Sequence, residues 1–146
     1  GKYSGIVEDG TAGATLAFGD LCYFIPASSK WGLAKADSIT TSGDVKIGIC
    51  VLAGNDTQAT KMLLYGKIRA DAKFPTFTVS APVYVSGATA GAITTTAPDT
   101  TDSVTRRIGV GNSADELFFC PSSNYYTHAV CPHMVWGERS IWWWFG

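Results

Sequence analysis

Apolar residues fall along this chain in short runs and not at helical spacing. No segment keeps apolar residues at i, i+3, i+4 and i+7 over three turns. The runs are rich in Val, Ile, Tyr and Phe and are bounded by Gly, Pro, Asn, Asp and Ser, the pattern of strands joined by turns. Leu21-Cys22-Tyr23-Phe24-Ile25 is one such run, stopped by Pro26. Trp31 to Lys35 is a second, and Lys46 to Leu52 a third, ended by the turn Ala53-Gly54-Asn55-Asp56. Lys61 to Ala70 is longer, with Gly66 as a candidate bulge. Phe77-Thr78-Val79, Pro82 to Ser86, Ala92 to Thr96, Arg106 to Gly111 and Glu116 to Cys120 complete the series. Strand signals at this spacing predict a sandwich or a barrel.

A shift of about 61 positions lays the second part of the chain over the first. Tyr23 then meets Tyr84, Thr40 meets Thr101, Ile47 meets Ile108 and Gly48 meets Gly109. Cys22, Phe24 and Ile49 meet Val83, Val85 and Val110, and with a one-residue gap Leu33 meets Ile93. Chance agreement is the alternative for so few identities. A true repeat lets two halves face each other and close one core, which also removes exposed strand edges. The fold expected is all-β: a compact barrel or sandwich of short antiparallel strands over residues 1–127, built from two internally repeated halves, with an aromatic extension over residues 128–146. The loops Asp37 to Asp44 and Ala97 to Thr105 hold the same place in the two halves. Both are rich in Thr, Ser and Asp, and read as solvated connections or as surfaces that touch a partner or a glycan.

Composition narrows the function. The chain has 146 residues, one domain's worth, with a formal net charge of −1. Charged residues are 16%, against about 25% in an average soluble domain. A neutral chain is not held to nucleic acid or anionic lipid by bulk charge, and one this apolar is not disordered. No stretch reaches the roughly 18 uncharged apolar residues of a membrane span. Neither nucleic acid nor membrane is therefore an expected partner. Gly1-Lys2-Tyr3-Ser4 carries no signal-peptide core, which predicts synthesis in a reducing compartment. Cys22, Cys50, Cys120 and Cys131 are widely and irregularly spaced. Cys22 and Cys50 sit inside apolar runs and read as small buried hydrophobes; a disulfide needs adjacent strands, which spacing does not reveal.

The end of the chain differs from the rest. Trp136, Trp142, Trp143 and Trp144 lie within the final 11 residues, beside Phe145. Adjacent residues of a strand point to opposite sides, so three consecutive Trp cannot all face one small core. The segment reads as an intersubunit docking element, with folding back onto its own domain, or contact with a membrane interface or a ligand, as the alternatives. Chemistry is sparse elsewhere. His128, Cys131 and His133 lack a fourth ligand and a standard spacing, so no metal is expected. Gly109-Val110-Gly111-Asn112 lacks the third Gly of a dinucleotide motif, no Ser occupies a G-x-S-x-G elbow, and no carboxylates pair for acid–base work. No cofactor and no catalysis are expected. Arg106-Arg107 reads as one residue on each face of a strand end, or as part of an intersubunit ion pair.

One order of motifs is distinctive. Gly19-Asp20-Leu21-Cys22-Tyr23-Phe24 is followed by Lys30-Trp31-Gly32-Leu33-Ala34-Lys35-Ala36-Asp37 and Ile47-Gly48-Ile49. Leu64-Tyr65-Gly66-Lys67-Ile68-Arg69, Ala81-Pro82-Val83-Tyr84-Val85-Ser86, Arg107-Ile108-Gly109-Val110-Gly111 and Glu116-Leu117-Phe118-Phe119-Cys120-Pro121-Ser122 continue it. Over about residues 5 to 127 the series resembles a small β-barrel domain of tailed-bacteriophage virion proteins, found in capsid-decorating, head-fibre and tail-fibre proteins. The resemblance implies a virion protein that forms a homo-oligomer, often a trimer, and is assembled in the host cytoplasm. It implies a decoration protein that stabilises the shell by docking on the major capsid protein. The alternative is a tail-fibre module binding a host cell-surface glycan, with Trp31, Tyr125 and Tyr126 stacking on sugar rings; Trp31 also reads as a core strand residue. The 18 residues after His128 depart from the pattern of such domains.

Overall fold

The computed structural model describes residues 1–128. In chain order the elements are β1 (Lys2–Thr11), β2 (Leu21–Ile25), β3 (Lys30–Leu33), the helical turn α1 (Ile39–Ser42), β4 (Ile47–Leu52) and β5 (Ala59–Arg69). They continue with β6 (Pro82–Val85), β7 (Ile93–Thr94), β8 (Ser103–Thr105), β9 (Arg107–Gly111), β10 (Glu116–Phe119) and β11 (Tyr126–His128). The chain is all-β, and its main sheet is antiparallel and curled into a half-barrel. No described helix is long and apolar enough to cross a membrane.

The strands lie in the order β3-β2-β4-β5-β10-β9-β6-β7, with β1 along β5 and a separate β11-β8 pair. That order is a palindrome. In the first half β2 lies between β3 and β4, and β4 abuts β5; in the second β6 lies between β7 and β9, and β9 abuts β10. The repeat is therefore present at the level of elements. It fails residue by residue. Cys22↔Gly48 and Val83↔Gly109 occupy matching rungs, yet Cys22 belongs to a different cluster from Val83. Ile49 is in the main core, whereas Val110 is only half-buried. A one-residue slip turns a strand's side chains to the opposite face, and the register shift between Val83 and Tyr84 marks such an irregularity in the second half.

The halves meet at β5. Its whole length pairs with β1 on one edge, while β4 takes Lys61–Leu63 and β10 takes Gly66–Arg69 on the other. The strand turns a corner between those partners. The bulge expected at Gly66 sits at Leu64, skipped where Ile6↔Tyr65 gives way to Val7↔Leu63. Gly66 instead permits a close approach of backbones, facing Gly5 across the ribbon with φ of +142 against +146. A Cβ on either glycine would overlap a carbonyl oxygen of the facing strand, Ser4 or Tyr65. Backbone bonds tie the sheet's two ends, from Leu21 N–H to Gly91 O (2.8 Å), Gly91 N–H to Ala34 O (2.7 Å) and Ala36 N–H to Ser86 O (2.8 Å).

One core fills the curl, with Leu21, Ile49 and Leu63 from the first half against Val83, Leu117 and Phe119 from the second. A second cluster lies on the outer face of the first half. Cys22, Cys50 and Met62 alternate with the core residues there and pack with Trp31, Ala12 and Leu16. The segment between β1 and β2 is the cover, pinned by reciprocal bonds between Leu16 and Gly54 of 2.8 and 3.1 Å. Burial on both faces explains why LCYFI and IGICVL read as continuous apolar runs. Cys22 and Cys50 are buried free thiols, and burial raises the pKa of both above the ordinary 9.0. Cys131 and the aromatic extension, including Trp136, Trp142, Trp143, Trp144 and Phe145, lie outside the described residues.

Several elements differ from the expectations. Residues 77–79 form no strand; Phe77 is a core side chain and Val79 makes one isolated bridge to Gly111. The two Thr/Ser/Asp loops are not simply solvated connections. The first holds α1 and the second holds β8, and Ser42, Ser103 and Thr105 are buried. Their burial is tolerable because the hydroxyls donate locally, Ser42 to Ser38 O at 2.9 Å and Ser103 to Thr100 O at 2.6 Å.

Candidate functional site

Thr105-Arg106-Arg107 enters β9, and the two arginines go to opposite faces, as their adjacency predicts. Arg106 is buried, 6% exposed. Its Nε donates to Ser122 O at 2.7 Å, and its Nη1 donates to Gly43 O at 2.7 Å and Val45 O at 2.6 Å. Burial lowers its pKa from the ordinary guanidinium value, opposed by Asp44 and Tyr125. A guanidinium stays charged even so, and carbonyl dipoles solvate it here in place of water. Arg106 thus fastens the turn after α1 to the chain after β10. Replacing it with Met leaves those carbonyls without a donor in a buried site. Arg106→Met is expected to lower stability by about 3 kcal/mol, read as a shift of the urea midpoint at unchanged slope.

That fastening sets the next residues in place. The Tyr125 ring packs on the main core and over Gly43, its Cε2 3.0 Å from where a Cβ would stand on Gly43. Tyr126 then pairs with Thr105 as β11 joins β8. Tyr84, Thr105, Arg107, Asn124, Tyr125 and Tyr126 line a groove of about 270 Å³. Tyr126 is 63% exposed. Arg107 is exposed as well and pairs with no carboxylate among the described residues. The groove therefore combines aromatic rings, a guanidinium in no ion pair among the described residues and an amide, a composition suited to polar ligands.

Tyr125 and Tyr126, singled out from the sequence, come together in this groove. Trp31 does not join them. It is fully buried in the second cluster, its ring 5.1 Å from Phe24 and 5.6 Å from Lys46 Nζ. The expectation that Trp31 stacks on a glycan is overturned, because the cover over the first half seals it from any ligand. Sequence reasoning missed Tyr84 and Arg107, which line the same groove. The available signal was that Tyr84 follows an inward Val83 and so faces outward, beside the outward arginine.

A second surface lies on the outer face of the second half. Ile6 pairs with Tyr65, whose ring meets Phe118 edge-on at 5.3 Å, with Val110 beside Phe118. Ile6 is 62% and Tyr65 50% exposed. The first half has the Ala12–Leu16 cover on this face; no described segment covers Ile6 and Tyr65 in the second. Strand β1 borders the patch, exposed over Lys2 to Val7. Among the described residues no three His, Cys, Asp or Glu side chains gather as a metal site. Comparison with known protein families, with curated proteins and with solved structures finds no match.

Proposed function

We propose that this chain is a non-catalytic structural subunit of a tailed-bacteriophage particle. In this reading it decorates the head, forms a homotrimer and docks on the major capsid protein. The order of motifs from Gly19 to Ser122 supports the placement on a virion. The outer face of the second half, which no described segment covers, carries the reading: Ile6, Tyr65 and Phe118 form an apolar patch on a face that the other half buries. Apolar and aromatic surface of this kind is what oligomer interfaces bury, and closed symmetry repeats each contact once per subunit. Trp136, Trp142, Trp143, Trp144 and Phe145 are assigned the docking role on the strength of their composition. Removal of residues 129–146 is expected to abolish binding to particles that lack the protein while leaving the strand fold intact. Particle binding equal to that of the full chain would overturn the docking role.

A second reading, a tail-fibre module that binds a host cell-surface glycan, draws on a different observation. The groove of Tyr84, Arg107, Asn124, Tyr125 and Tyr126 has the aromatic and polar composition of a saccharide subsite.

A further inference from the structure

We infer that the groove beside β11 binds a monosaccharide unit bearing a carboxylate, a uronic or sialic acid, with Arg107 as the carboxylate clamp. This rests on the glycan-binding reading of the groove and holds whether the chain sits on a head or a tail.

The size comes first. Drug-sized ligands occupy pockets of roughly 300–1,000 Å³. At about 270 Å³ the groove has room for about one sugar ring. Its walls come next. Aromatic rings give the groove apolar walls suited to the C–H face of a pyranose, while Asn124 offers polar atoms to its hydroxyls; Thr105 is buried, with its hydroxyl on Pro98 O. Tyr125 is held from behind by the core and by the segment that Arg106 fastens, so its ring is preorganised.

The charge selects among sugars. Seven ion pairs join other cations of the described residues to carboxylates, and Arg107 is in none of them. Its neighbour Arg106 uses its donors on backbone carbonyls, facing inward. Arg107 therefore presents at the groove a guanidinium in no ion pair among the described residues, and a planar fork of N–H donors matches a carboxylate two bonds at a time. A peptide whose only feature is its Asp or Glu carboxylate has no ring to lay on the tyrosines, so against such a peptide the groove favours the sugar.

The test uses the intact chain, labelled with ¹⁵N and titrated with N-acetylneuraminic acid, galacturonic acid, galactose, N-acetylglucosamine and a blocked Asp-containing tripeptide. The expected result is saturable movement of the Tyr84, Arg107 and Asn124–Tyr126 amides with the two acidic sugars alone. Arg107→Gln and Tyr126→Ala are each expected to weaken that binding about tenfold, with the remaining amide positions unchanged. Equal binding of neutral sugars, equal binding of the tripeptide, or undiminished binding by Arg107→Gln would each overturn the assignment. Binding that emerges only after removal of residues 129–146 would also overturn it, since the groove would then belong to the chain's own C-terminal segment. The glycan-binding reading is separable: cell adsorption blocked by neutral glycans alone would leave that reading standing and defeat this one.

Discussion

Trp31→Ala is expected to cost about 3–5 kcal/mol of stability, enough to leave a small domain marginal or unfolded. The ring is fully buried and is the largest side chain of the second cluster. Its neighbours cannot collapse into the space, because they belong to two layers fixed separately: the sheet itself, and the cover pinned at Leu16 and Gly54. One feature of the site lowers the cost of a smaller change. Trp31 Nε1 is buried against Gly10, with no hydrogen-bond partner among the described residues. Trp31→Phe removes that unsatisfied donor, a gain of about 1–3 kcal/mol that offsets part of the lost ring volume. Urea denaturation of the two variants checks the ordering. A Trp31→Ala midpoint equal to that of the parent chain would return Trp31 to the surface and to the ligand-binding candidates.

Gly66→Ala is expected to be the next most damaging single change, at about 3 kcal/mol or more. Two costs add. A φ of +142 is a conformation that a residue with a Cβ rarely adopts, worth about 1–3 kcal/mol in strain. The new methyl also overlaps the Ser4 carbonyl oxygen, a backbone atom that moves only if β1 moves. Relief comes by parting β1 from β5 at the corner, so amide exchange across Lys2 to Val7 is expected to rise to the level of an open edge. Gly87→Ala is the control. Its Cβ would meet nothing nearer than 3.7 Å, and its effect is expected within about 0.5 kcal/mol. Equal effects at the two positions would contradict the corner.

These two residues show what the sequence did and did not make legible. The strands with compact apolar runs, β2, β4, β6, β9 and β10, lie close to where the runs predict them, because burial on one or both faces writes itself into composition. Strand β1 left no such mark. Lys2–Thr11 holds two glycines and an acidic pair and is mostly exposed, so it is a strand only by virtue of its partner β5. The need for Gly66 was visible as an irregularity, but its cause, a second glycine far away in the sequence, is a tertiary fact. Trp31 looked equally suited to core and ligand because nothing local announces the cover over it. Of the groove, Tyr125 and Tyr126 were legible as candidate stacking residues, whereas Tyr84 and Arg107 depended on facing, and the bulge near Tyr84 breaks the simple alternation. The repeat was legible as an order of elements, and the pleat slip hid which residues correspond.

Self-association over the outer face of the second half, which no described segment covers, is the central claim. Native mass spectrometry of the full chain, beside Tyr65→Lys, tests it most directly. Tyr65 is half exposed and sits at the middle of the patch between Ile6 and Phe118, so a charge there opposes burial without touching the core. The expected result is a closed homotrimer for the parent chain and a folded monomer for Tyr65→Lys. A parent chain that is monomeric, or a trimer that Tyr65→Lys leaves intact, would contradict it.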